Sequence, residues 1–464
     1  MRILPKFARI IEIYSSMLED SFSSAVEAVL FDNTLGEIGR GANEGLNGDR
    51  IIPVSTVEMY EVIADFGEMI GSGETTRVDT KYKTVDRKVR SVTTPLPEGN
   101  EEQMKGVASD PSLRNQVGIG HRFTDKTLWE LKIGGGGFLL PAEKDHFRRM
   151  LRRHGRAFAF SPEEIRCVDP TIVELMVIFT ILHVPWNLKP ILVPRAHIPM
   201  LMELLKQRVE MGILQPSSAP YSNRWFTIRK KNGTLRFIQD LQLVNKVTIR
   251  NAGIGQTIYE FAEAFAGRSI YSVGDLYSGY DQFQLAMESR DITTMQTPLG
   301  LVQMCTLPQG GTNSVAHMVN AMNKVLRDCI PDVTMPFLDD IPIKGCLVEE
   351  KDESVGLDGC RRFMADHIED CEKVLERLGG ARLTFSGEKS AFGQSDVLVI
   401  GHLCRPYRRK PSPAKVEAIS AMKEECKSVT EVWRFLGACT FYHIWIPHYA
   451  HIVEPLCGLL KTGR

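Results

Sequence analysis

The segment from Thr334 to Ile343 (TMPFLDDIPI) sets two adjacent carboxylates, Asp339 and Asp340, at the end of an apolar run, and Asp275 closes another run that begins at Ser269 (SIYSVGD). Two strands that bring carboxylates side by side offer hard oxygen donors suited to a pair of magnesium ions. Such a pair clamps the attacking and leaving oxygens of an in-line phosphoryl displacement. An Asp-Asp dipeptide alone also occurs in surface turns, so its surroundings must decide.

Those surroundings carry further candidates. After Asp275 come Leu-Tyr-Ser-Gly-Tyr-Asp-Gln, where Gly279 permits a tight turn and Tyr280 can stand beside the carboxylates. A planar ring there would exclude a ribose 2'-hydroxyl; a core tyrosine would have the same sequence signature. In Leu307-Pro-Gln-Gly, Gln309 and Gly310 sit at the mouth of a helix and can line a nucleotide and template base.

The elements that must position these groups follow from periodicity. Val333, Met335 and Phe337 alternate as one face of a strand, a turn near Asp339 and Asp340 follows, and Ile341 and Ile343 continue the return strand. Pro336 and Pro342 require an edge strand or an irregular hairpin. Asn313 or Ser314 caps a helix whose apolar stripe is Val315, Met318, Val319, Met322, Val325 and Leu326. Leu201, Leu204, Leu205 and Val209 give a helix over 199–214. Trp225 to Lys230 and Leu235 to Gln239 flank Asn232-Gly233, a strong hairpin signal, and Arg229, Lys230, Lys231 and Arg236 give that hairpin a cationic tip. The same charges would suit an edge hairpin guarded against pairing.

The 464 residues suffice for several domains, and 43% hydrophobic with 24% charged residues describes an ordinary globular chain. With 56 basic and 57 acidic residues the net charge is -1, so any nucleic-acid groove must be a local basic feature. The ten cysteines stand singly, without a CxxC pair or zinc-site spacing, which fits reduced thiols inside a cell. Thr171 to Val184 is too short to span a membrane and reads as a buried helix or strand pair. The start of the chain soon meets Glu12, Glu19 and Asp20, so a secretory signal is not expected, and we expect a cytoplasmic or nuclear, not secreted, location.

Residues 1–137 read as a poorly defined N-terminal spacer and linker, polar over 86–137 and ending in a flexible turn at Gly134 to Gly137. Residues 138–198 read as a basic helix and an extended lead-in. Arg148, Arg149, Arg152, Arg153 and Arg156 there form either a solvated helix face or a nucleic-acid contact.

From Met200 onward the chain resembles the reverse transcriptase of gypsy-like long-terminal-repeat retrotransposons. The blocks occur in order: GILQPSSAPYS at 212–222, RKKNGTLRF at 229–237, Asp240 with Asn245, DLYSGYDQ at 275–282, LPQG at 307–310, FLDD at 337–340 and VIGH at 399–402. The resemblance implies an α+β, right-handed fingers and palm fold, with fingers at 199–268, palm at 269–410 and a helical connection segment at 411–464. It implies RNA-directed DNA polymerase activity, with two magnesium ions, or manganese in their place, on Asp275, Asp339 and Asp340. Lys230 and Arg236 match the cations that hold the incoming deoxynucleoside triphosphate, Tyr280 the sugar gate, and Gln309 with Gly310 the nucleotide pocket. Lys389 matches a lysine proposed to protonate the leaving pyrophosphate, and Gly401 and His402 fall in the primer-grip turn. The expected partners are an RNA or DNA template with its primer.

The chain departs from the family in places. Gln242 stands where arginine is usual, Phe337 replaces the common tyrosine before the paired aspartates, and 344–380 reads as a long acidic insertion. Protease, zinc-knuckle, ribonuclease H and integrase signatures are not found. A lone polymerase core is therefore expected, with a truncated, inactive transposon remnant that at most binds nucleic acid as the alternative. His443, His448 and His451 are read as packed or exposed histidines, with a metal site as the competing reading.

Overall fold

The computed structural model describes residues 121–464 except 230–232, 252–257, 423–425, 427 and 462–464. The spacer expected at 1–120, and Lys230 and Lys231 of the cationic hairpin, lie outside the described residues. Two compact units are distinguished, one containing 404–409 and the described residues up to Ile400, the other containing 401–403 and 410–464.

In the larger unit a four-stranded sheet runs in the order Lys132–Ile133, Ala391–Gln394, Tyr271–Asp275, Asp340–Lys344. Strand alternation sorts its side chains onto two faces. Ser272 and Gly274 point to the main core: the Ser272 hydroxyl lies 2.8 Å from Nε2 of the helical His367, and a Cβ on Gly274 would meet the ring of Phe385, on the short strand Phe385–Ser386, at 2.2 Å. Tyr271 and Val273 point the other way, into a smaller cluster with Phe261, Phe265, Val397 and Val399. Asp275 shares that second face by period. Pro342 is in the edge strand Asp340–Lys344, where a missing N–H is tolerated, as its position in the sequence requires.

Helices Pro141–Arg153, Ser314–Val325 and Arg362–Gly380 supply Phe147, Met150, Met318, Met322, Ile368 and Leu375 to the main core under the sheet. The supposed acidic insertion at 344–380 is thus corrected. Its second half is a 19-residue amphipathic helix that buries eight side chains, because its acids occupy one face and its apolar residues the other. Two further corrections concern the N-terminal side. Residues 121–137, expected as linker, contribute the helix Asp125–Glu130 and a strand paired in parallel with Ala391 and Phe392. The apolar run 171–184 is extended backbone with isolated bridges at Met176 and Thr180, burying Val173 and Leu175 to Ile178 and exposing Glu174, Leu182 and Val184.

A second cluster forms around the helix Ile198–Glu210, which ends four residues before the expected 214 because Gly212 takes φ +65° and the chain turns into the strand Leu214–Pro216. Leu201 and Leu205 are buried there against Trp225 and Leu235 of the hairpin Trp225–Arg229 and Leu235–Gln239. In the smaller unit, helices Pro413–Ser420, Val429–Phe441 and Tyr449–Lys461 enclose their own core.

Candidate active site

The sheet register assembles the carboxylates. Tyr271–Asp275 and Asp340–Lys344 run antiparallel with Asp275 directly opposite Asp340. On the other side of Asp275, Ala391 pairs with Val273, so the antiparallel count brings Lys389 beside Asp275. Lys389 Nζ donates to Asp275 Oδ1 at 2.8 Å. Asp339 stands at the tip of the hairpin closed by reciprocal Phe337–Asp340 backbone hydrogen bonds, and Leu338 adopts φ +58° to make the turn. The Asp339 carbonyl accepts from Leu276 N–H at 2.8 Å, which ties that tip to the end of the neighbouring strand.

Gly279 explains how the next turn fits. A Cβ there would lie 2.9 Å from Met318 Cε and 3.2 Å from Asp339 Cβ, so the backbone approaches the carboxylate turn more closely than a side chain would permit. The following Tyr280 is half-buried. Burial, then the charge of Asp339, raises its phenol pKa.

Electrostatics mark the acids as under-compensated. Burial first, then the negative charges of Asp339 and Asp275, push Asp340 up to about 6, while the Lys389 charge opposes. Asp275 is also raised, chiefly by burial, against its hydrogen bond from Lys389. Carboxylate oxygens in surplus over cations fit a hard divalent ion. Among the described residues, the ligand-type trios that approach within 4.8 Å of one another are His146–Asp358–Cys360 and His154–Glu372–Glu376, so the three aspartates stand wider than a one-ion cage.

Asp339, Tyr280, Gln309, Lys389 and Arg236 line one open cleft of about 400 Å³. Arg236 reaches it from the hairpin strand, where it faces Ile228. Gly310 adopts φ +91°, and its carbonyl accepts from Asn245 Nδ2 at 2.9 Å while Asn245 Oδ1 accepts from Thr312 N–H at 2.8 Å. Asn245 therefore holds the Gln309 loop by both ends of its amide. Asn313 precedes the helix as expected but does not cap it with its side chain; it donates instead to Ile249 O. Val315, expected on the buried stripe, is 44% exposed. Sequence reasoning missed Arg208, which lines the same cleft and pairs with buried Asp281 at 3.1 Å. Its signal was only a cation on the polar side of an amphipathic helix.

In the smaller unit Gly401 takes φ +81°, and its carbonyl accepts from the Tyr442 hydroxyl at 2.9 Å. The His402 ring is buried and stacks on Phe441 at 5.2 Å, with Trp445 also at 5.2 Å. His443 Nδ1 lies 2.8 Å from the Thr440 carbonyl, and none of the ligand trios found among the described residues includes His443, His448 or His451.

With this geometry in place, residues 228–429 match the family described as reverse transcriptase (RNA-dependent DNA polymerase). Over those residues the chain is similar to reverse transcriptase domains, and its curated relatives include gypsy-type transposon polyproteins. The Pol polyprotein of transposon gypsy from Drosophila melanogaster is 28% identical over 264 residues, covering 55% of this chain and 24% of that protein. The Tf2-3 transposon polyprotein of Schizosaccharomyces pombe is 25% identical over 257 residues, 55% of this chain and 18% of its own length. This chain thus spans about a quarter or less of the curated relatives it matches. Among solved structures, the foamy viral protease-reverse transcriptase in complex with an RNA/DNA hybrid superposes with a TM-score of 0.61 at 18% identity, covering 73% of this chain and 42% of that one. The double-stranded DNA complex of that viral enzyme gives a TM-score of 0.59 over 81% of this chain. The α+β polymerase fold of reverse transcriptases is therefore the fold of this domain.

Proposed function

We propose that this chain is an RNA-directed DNA polymerase of a retrotransposon, adding deoxynucleotides to a primer on an RNA or DNA template inside the cell. The observation that carries this reading is the register pairing Asp275 with Asp340, with Asp339 at the hairpin tip above a cleft that also holds Arg236, Tyr280, Gln309 and Lys389. In this reading Asp275 and Asp339 would hold two magnesium ions and Asp340 would support them. When bound, the ions supply positive charge to the transferring phosphoryl group and to the oxygens on either side of it.

The chain's own residues do the rest by position and charge. Arg236 offers a planar fork to the triphosphate oxygens, and Lys230 a point charge. The Tyr280 ring fills the space a 2'-hydroxyl would need. Gln309 and Gly310, held by Asn245, line the base-pairing pocket. Lys389, which donates to Asp275 at 2.8 Å, would pass a proton to the leaving pyrophosphate. Gly401 and His402 would grip the primer; because the imidazole is packed among aromatic rings, the grip would come from backbone.

The test is primer extension by the purified chain on an RNA template with deoxynucleotides and magnesium, beside Asp275→Asn. Extension that disappears in the variant supports the proposal. A folded chain that extends nothing would instead be an inactive remnant.

A further inference from the structure

A second cavity, of about 510 Å³, shares no lining residue with the catalytic cleft. Its wall includes Arg122, Arg152, Arg153, Arg156 and Arg166, with Glu376 as an acid among them. Two of these arginines are already paired, Arg152 with Asp125 and Arg153 with Glu372. Arg122, Arg156 and Arg166 have no acidic partner within 4.0 Å among the described residues.

Arg166 is the telling member. Its side chain is 6% exposed; one terminal nitrogen donates to the Leu383 carbonyl at 3.1 Å, while its buried Nε has no hydrogen-bond partner. An unpaired buried donor is costly, more so when charged, and native structures rarely leave one without cause. Burial, then the like charges of Arg156 and Arg382, pull Arg166 down to about 10, so it stays a cation at neutral pH. Arg382 itself is answered by Asp169 at 3.1 Å. Of the cations lining the cavity, Arg122, Arg156 and Arg166 outnumber its one lining acid, Glu376.

A buried guanidinium in the wall of an open cavity, beside two exposed guanidinia without an ion-pair partner among the described residues, suits an oxyanion able to accept several hydrogen bonds at once. From this arrangement we infer that the cavity bounded by Arg122, Arg156 and Arg166 is a phosphate-binding site separate from the catalytic cleft. A volume of this size admits a free phosphate or pyrophosphate, or a backbone phosphate of a nucleic-acid strand. The site also assigns a use to the arginine run at 148–156. Part of that run is a solvated, paired face, with Arg148 on Asp145 and stacked over Trp129 at 4.4 Å, while Arg156 turns into the cavity.

The inference does not depend on polymerase activity, and its test is a binding titration at fixed ionic strength. Inorganic phosphate, pyrophosphate and a ten-nucleotide single strand are titrated by calorimetry into the full chain, into Asp339→Asn, and into the double variant Arg122→Ser/Arg156→Ser. Both serines replace exposed side chains, so folding is retained, as melting would verify. The expected result is saturable binding of at least one probe, unchanged in Asp339→Asn and weakened at least tenfold in the double variant, with primer extension intact. Binding by the small anions would identify a free phosphate as the source, and binding by the strand alone a nucleic-acid backbone. Absence of saturable binding by all three probes overturns the inference. So does binding that the arginine substitutions leave unchanged.

Discussion

The catalytic cleft and the arginine cavity are opposite in sign but alike in being under-compensated. Asp275, Asp339 and Asp340 cluster near Lys389 at the edge of a cleft that Arg208 and Arg236 also line, and three arginines without an ion-pair partner among the described residues line the cavity. The difference lies in how the charges are brought together. In the cleft, strand register pairs Asp275 with Asp340, Lys389 comes from the turn two residues before the strand Ala391–Gln394, and Asp339 is carried by the hairpin turn. In the cavity, Arg122, Arg156 and Arg166 come from separate loops and one short 3-10 turn. A regular ladder fixes charges to within a fraction of an ångström, as chemistry on a phosphoryl group requires. Loop-borne guanidinia suit binding, where length and flexibility can absorb the fit.

The largest effect should come from Asp339→Asn, which removes a proposed metal ligand at almost constant volume. Primer extension should fall by roughly 10²–10³-fold or more, the range for loss of one transition-state-stabilising group. Circular dichroism and phosphate binding at the cavity should not change. A loss of cavity binding in this variant would break the separation of the two sites.

Next in size is Tyr280→Ala. Its discrimination against ribonucleotides, read from steady-state incorporation of paired nucleotides, should drop by roughly 10–100-fold. Unaltered sugar selection would remove the ring from the gate.

Gly274→Ala sharpens the contrast between ladder and loop. Its Cβ would meet Phe385 at 2.2 Å, and overpacking of this kind costs roughly 1–3 kcal/mol. Chemical denaturation should show that loss, whereas Arg122→Ser in the cavity rim should be nearly neutral.

The smallest effect is on pH. Asp340 has its folded pKa raised to about 6, above the ordinary aspartate value of 3.8. Between those values the folded chain binds more protons than the unfolded one, so its contribution to stability declines as pH rises from about 4 through 6. Asp340→Asn should flatten that part of the melting profile in the absence of metal and raise the melting temperature near pH 7.5. An unchanged profile would mean that the carboxylate is not under the strain described.

Much of the cleft was legible because its parts are local. Asn232-Gly233 reads as a hairpin and Gly279 as a turn, each over a few residues of backbone, whereas the strand expected over Val333, Met335 and Phe337 is reduced to isolated bridges at Thr334 and Phe337, with Val333 packed in the main core and the other two in the smaller cluster. The acidic stretch at 344–380 misled because composition was read without the helical period that buries Phe363, Ile368 and Leu375. The run 171–184 misled for the opposite reason: hydrophobicity without period does not distinguish a helix from extended chain packed along a core. Arg208 was invisible since its partner Asp281 lies 73 positions away in the chain.

The sequence by itself determined the carboxylate chemistry, the hairpin turns and the family likeness, all of which depend on residue types at short, fixed spacings. Only the tertiary structure decided that Lys389 answers Asp275, that Asn245 holds the Gln309 loop, and that Arg166 is buried beside Arg156 with a donor to spare. Those pairings join segments distant along the chain, and it is the sheet register and the packing of helices on it that set which distant charges meet.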